Sequence, residues 1–89
     1  MIKLTQVVKA NQNDEYYLRE TTINPVHIVS VNSSDQYIRL LHQNKLPEGL
    51  DPTHEFVEIS LSHGGTLIAL GSPQIINEKI KFAKKLLFG

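Results

Sequence analysis

The chain has 89 residues, among them no cysteine and no tryptophan, so it forms one domain near the lower limit for a core that holds without staples. The missing cysteines exclude a disulfide frame and a thiolate metal site, and suit a reducing compartment. Nine Lys and Arg balance nine Asp and Glu, which argues against a nucleic-acid binder driven by charge; 40% hydrophobic content is too high for a disordered tail.

Met1 to Thr5 starts directly in alternating, strand-like sequence and lacks the apolar core of a secretory signal. No repeat, low-complexity run or membrane-length apolar stretch is present, so the expectation is a cytoplasmic protein without a membrane partner. Residues 2–8 set Ile2, Leu4, Gln6 and Val8 against Lys3, Thr5 and Val7, which predicts a strand. The residues from Lys9 to Asp14 tolerate turn geometry and read as a hairpin loop, and Glu15 to Arg19 resumes as the returning strand. At Ile23-Asn24-Pro25 pairing stops, because proline has no N–H to donate. Val26 to Val31 then carries apolar residues on both faces, the pattern of a central strand covered on two sides, with His27 as a structural residue within it.

Asn32 to Asp35 ends that strand. From Gln36 to Glu55 the pattern is least regular: Tyr37 to Leu41 fits either a continued strand or a short helix, and Asn44 to Thr53, with Pro47, Gly49 and Pro52, reads as a loop. A connection this long in a domain this small is often functional. Phe56 to Ser62 alternates, with Val57, Ile59 and Leu61 inward and Glu58, Ser60 and Ser62 outward. His63-Gly64-Gly65 supplies the positive-φ positions of a tight turn, and Thr66 to Leu70 is the partner strand.

Ser72 is placed to cap a helix that has Pro73 at its first position and runs to about Leu87. At about 100° per residue, Ile75, Ile76, Ile80, Phe82, Ala83, Leu86 and Leu87 share an arc of roughly 160°. Lys79 falls inside that arc, while Lys81, Lys84 and Lys85 lie outside it, near the helix end that favours cations. An arc near 100° covers one sheet face, so the helix either closes its own sheet generously or turns part of its stripe toward a second subunit. The expected fold is therefore α+β: a small, twisted, mainly antiparallel sheet of about five strands with a C-terminal amphipathic helix. Within the single domain 1–89, residues 1–31 are N-terminal strands, 32–55 an irregular insertion, 56–71 a β-hairpin and 72–88 the helix.

The opening Ile2-Lys3-Leu4-Thr5, the segment Ile23-Asn24-Pro25-Val26-His27-Ile28-Val29-Ser30-Val31, and Glu58-Ile59-Ser60-Leu61 through Gly65 into the final helix form a known pattern. In these pieces, about two-thirds of its length, the chain resembles the FlbD/SwrD family of small flagella- and motility-associated proteins, and many short phage proteins of similar pattern. The matching positions are hydrophobic and turn residues. The resemblance implies the fold and brings no catalytic residue with it. This chain departs from that pattern over residues 32–55, where any activity peculiar to it is expected.

Of the four histidines, His27, His42, His54 and His63, no two stand at the spacing of a usual metal site, so neither a metal nor a cofactor is expected. There is no Gly-x-Ser-x-Gly elbow beside His63-Gly64-Gly65 and no Gly-rich phosphate loop, so the chain does not read as an enzyme. Tyr16, Tyr17 and Arg19, with Tyr37, Arg39, His42 and Lys45, combine aromatic faces with cations that can hold a base and a phosphate; the plainer alternative is packed tyrosines and solvated arginines.

These features lead to a non-catalytic binding or accessory protein of phage or bacterial origin, acting as a homo-oligomer on a host protein. An alternative is an anti-defence sponge that captures an anionic, for example cyclic, nucleotide between subunits, with Tyr17, Arg19, Tyr37, Arg39, His42 and Lys79 as the contacts. A third is a weak nucleic-acid regulator using Lys79, Lys81, Lys84 and Lys85, which the acidic residues elsewhere disfavour. Net charge zero averages a basic C-terminal helix and an acidic remainder, unlike surfaces that suit self-association.

Overall fold

The computed structural model describes residues 1–10 and 15–88, with side chains through Lys85. In chain order the elements are β1 (Ile2–Lys9), β2 (Tyr16–Ile23), a 3-10 turn (Pro25–His27), β3 (Ile28–Ser33), α1 (Asp35–His42), β4 (Phe56–Leu61), β5 (Thr66–Leu70) and α2 (Pro73–Phe88). The strands form one antiparallel sheet in the order β2-β1-β5-β4-β3, so the fold is α+β with a C-terminal helix. The hairpin loop expected between Lys9 and Asp14 lies mostly outside the described residues. Lys9 itself closes β1, and the Ala10 amide donates to the Glu15 carbonyl at 2.8 Å.

β2 and β3 are the two edges of the sheet, yet only Asn24, Pro25, Val26 and His27 join them. Both strands run in the same direction through the alternating sheet. In a flat sheet the edges would stand roughly 19 Å apart, and the link would also have to cross the sheet lengthwise. Five Cα steps reach about 17 Å at full extension, and three of the linking residues are wound into a 3-10 turn. The sheet must therefore coil until the Ile23 end of β2 meets the Ile28 start of β3, as accumulated strand twist allows. The corner is pinned by the Val26 amide on Asn24 Oδ1 at 3.0 Å and the Ser62 amide on the His27 carbonyl at 2.8 Å. Pro25 is buried there, at a position that needs no N–H.

One face of the coiled sheet presents Ile2, Leu4, Val57, Ile59 and Ala69, and α2 covers them with Ile76, Ile80 and Ala83. On the other face Val7 and Phe56 are covered by Leu41 of α1 and by Leu46 just beyond it. Phe56, Val57 and Ile59 are wholly buried, so β4 is covered on both sides.

Several expectations need correction. Val26 to Val31 is not a central strand: Val26 and His27 belong to the 3-10 turn, β3 is an edge, and Val26 and Val29 are 53% and 69% exposed. Proline's fixed φ turns the chain at Pro25, and β-branched residues report a preference for strand rather than a place within the sheet. Val29 occupies a bulge, because the register passes from Ile28↔Leu61 to Ser30↔Ser60. Between Leu61 and Thr66 only Gly64 takes a positive φ (+96°); Gly65 does not, and its amide donates to His63 Nδ1 at 3.1 Å.

The open choice over Tyr37 to Leu41 resolves as helix, while residues 43–55 form neither helix nor strand. α2 starts as its sequence directs, with Ser72 Oγ accepting from the Ile75 amide at 3.2 Å. Its wide stripe divides: Ile76, Ile80 and Ala83 are buried, whereas Ile75 and Phe82 remain 52% and 65% exposed. The side chains of Leu86 and Leu87 lie outside the described residues.

Candidate functional site

Where the coil brings the start of β3 toward the end of β2, an open groove of about 550 Å³ remains. Alternation along β1 and β2 turns Gln6, Arg19, Thr21 and Ile23 to one face, and Arg19 Nη2 donates to Gln6 Oε1 at 3.0 Å across the ladder. Opposite them the groove is lined by Asn24 and His27 from the corner, His63 from the β4–β5 turn, and Leu61 and Leu67. Arginine and two imidazoles thus share the groove with the apolar Met1, Ile23, Leu61 and Leu67, and none of the described residues lining it is a carboxylate. Such a lining suits a small ligand with an anionic group and an apolar body.

His27 Nδ1 lies 3.3 Å from Ser62 Oγ, but both residues are exposed, and among the described residues no carboxylate bonds to that imidazole.

The six residues singled out for ligand contact are distributed over three parts of the molecule. Tyr17 and Arg19 are two apart on β2 and share a face. Tyr37 is on the far side of the sheet, edge-on to Tyr16 (5.8 Å between centroids, 83° between planes) and tilted against Phe56 at 6.2 Å. Burial first, then the Tyr16 phenol beside it, pushes the Tyr37 hydroxyl above its ordinary pKa; Lys9 opposes the shift and Glu58 adds to it. Arg39 is exposed on α1, and His42 ends that helix with Nε2 3.3 Å from the Pro52 carbonyl. His42 borders a second hollow, about 620 Å³, with Leu46, Pro47, Glu48 and Leu50. Lys79 on α2 lines a small cleft with Lys3 and Glu20, which form an exposed ion pair at 3.7 Å. Within one chain these six side chains do not form a single clamp.

The residues that do accompany Arg19, namely Asn24, His27 and His63, carry no spacing signature. Only the short link between β2 and β3 brings them near, and that consequence follows from sheet order, which the residues alone do not display.

In the irregular segment, Asp51 accepts from the Thr53 hydroxyl at 2.6 Å and the Thr53 amide at 2.8 Å, and these bonds hold its carboxyl below the usual carboxylate range. Nearby, His54 Nδ1 is buried without a hydrogen-bond partner. Among the described residues no three His, Asp or Glu side chains come together as a metal site would require, and no helix is long and apolar enough to cross a membrane. Comparison with protein-family models, curated proteins and solved structures found no match.

Proposed function

We propose that the chain is a small non-catalytic binding protein that works as a homo-oligomer, an accessory factor of phage or bacterial type acting on a host protein. The observation that carries this reading is the outer flank of α2. Ile75 and Phe82 stand seven residues apart, hence on one side of the helix, and are 52% and 65% exposed although the helix already covers its sheet. A second copy would remove that apolar pair from water.

Charge favours the same partner. α2 carries four lysines against one glutamate, and the rest of the chain carries an equal acidic excess. The resemblance to small motility-associated and phage proteins supports the accessory class. Replacing Ile75→Glu together with Phe82→Glu alters two exposed side chains, so helical content should persist by circular dichroism. Light scattering should show an assembly of lower mass than that of the wild type. A wild-type chain that is strictly monomeric, with no partner recovered by affinity capture, would refute the proposal.

The groove around Arg19 favours a second reading, the capture of a small anion such as a nucleotide, with Arg19 as its principal contact. A ligand that binds only the folded state raises the melting temperature by mass action. Cyclic and linear nucleotides should therefore include one that raises it for the wild type and leaves Arg19→Ala unmoved; no shift with any of them removes this reading.

A further inference from the structure

We propose that two copies pair along β2 as antiparallel strands, with Leu18 opposite its own copy. The inference deepens the homo-oligomer reading and rests on it.

The two sheet edges are not alike. β3 is interrupted by the bulge at Val29, a device that spoils pairing with another chain. β2 has no such bulge. Its register with β1 runs unbroken through eight pairs, and among the described residues no other strand pairs with its outer side. Four successive residues, Tyr17, Leu18, Arg19 and Glu20, are exposed there. A long, regular, uncovered edge of this kind is a template for another strand.

The hydrogen-bond alternation shows which groups are on offer. Ala10 donates to Glu15 directly opposite, so the inward-bonded pairs continue at Val8↔Tyr17, Gln6↔Arg19 and Leu4↔Thr21. The amides and carbonyls of Tyr16, Leu18 and Glu20 consequently point outward, along the open edge.

Symmetry then restricts the register. A two-fold antiparallel pair within one continuous sheet must be centred on one residue facing its own copy. Centring on Arg19 or Glu20 opposes like charges. Centring on Tyr17 leaves only Tyr16 to Leu18 of each strand overlapping, and centring on Thr21 sets Arg19 against Ile23. Centring on Leu18 gives an apolar pair on the axis, places each exposed Tyr17 against the partner's Arg19 for a cation–π contact, and sets Tyr16 against Glu20. It also engages the outward backbone groups of Tyr16, Leu18 and Glu20 on both strands. The strand is complementary to itself in this register.

Because the chain has no cysteine, one introduced thiol reports on one contact. Facing residues of this kind have Cα atoms roughly 5.5 Å apart, within disulfide reach, whereas Glu20 and its copy would be offset by four residues, about 13 Å. Mild oxidation with oxidised glutathione should therefore convert Leu18→Cys to a covalent dimer and leave Glu20→Cys uncoupled. The cysteine-free variant Leu18→Lys should show a lower native mass than the wild type while keeping its circular dichroism spectrum. If the wild type is oligomeric but Leu18→Cys fails to couple, or both thiol variants couple equally, the β2 pairing is wrong and the oligomer reading stands. If the wild type is monomeric at every concentration, both fall.

Discussion

Tyr37 shows how a single side chain ties the two halves of the molecule together. It leaves α1 to pack between Tyr16 of β2 and Phe56 of β4, and its burial opposes ionisation of the phenol. A phenol whose pKa is raised on folding contributes stability that is complete below its unfolded value, near 10, and is lost as the pH climbs from there to the folded value. Stability measured by urea titration should thus fall more steeply above about pH 10 in the wild type than in Tyr37→Phe, which retains the ring and removes the proton. Equal slopes would show that the hydroxyl gains nothing from its surroundings.

Residues whose role is periodic were legible in the sequence. Val57 and Ile59 follow from two-residue alternation, and both are wholly buried. Phe56 lies on the other side of the same strand, beside Glu58, and its burial comes from α1, whose existence the pattern left open. Arg19 was identified by its chemistry, yet its neighbours His27 and His63 stand eight and 44 residues away in the chain and meet it only through the coil of the sheet.

At the scale of elements, two serines precede the two helices and do different work. Ser72 Oγ accepts from the Ile75 amide and so relieves one unsatisfied donor at the start of α2, whereas Ser34 makes no side-chain capping bond to α1. Ser72→Ala should therefore cost about 1 kcal/mol in chemical denaturation, the usual price of a lost cap. Ser34→Ala should cost clearly less, and the reverse order would contradict this account of the helix starts.

The same contrast explains what could be read beforehand. α2 displays a cap, a proline at its first position and four turns of amphipathic pattern, so its limits were visible. α1 has eight residues and no side-chain cap bond, too few for helical and strand periods to separate. Composition suggests a central place for Val26 to Val31, but an edge and a centre differ in neighbours, and neighbours are not encoded in four apolar residues. The bulge at Val29 is equally invisible until the partner strand is known.

For the whole molecule, the ruling fact is that a short link joins the two edges of a five-stranded sheet. It forces the coil, creates the corner at Pro25, and opens the groove that Arg19 shares with two histidines. α2 packs on one face, and α1 with the irregular segment packs on the other. Exposed at the periphery are the flank of α2 with Ile75 and Phe82, the regular edge of β2, and Val26 and Val29 at the bulged edge. A chain at the lower size limit for an unstapled core gains stability when such surfaces are paired. The long insertion, expected to carry what is peculiar to this chain, is largely spent on covering the sheet, through Leu41, Leu46 and Leu50.

Assembly is therefore the central claim, and the native mass of the protein as purified from cells tests it most directly. The expected result is a defined multiple of 10.1 kDa that persists on dilution into the micromolar range, with any retained ligand appearing as added mass. A single 10.1 kDa species at every concentration would contradict it.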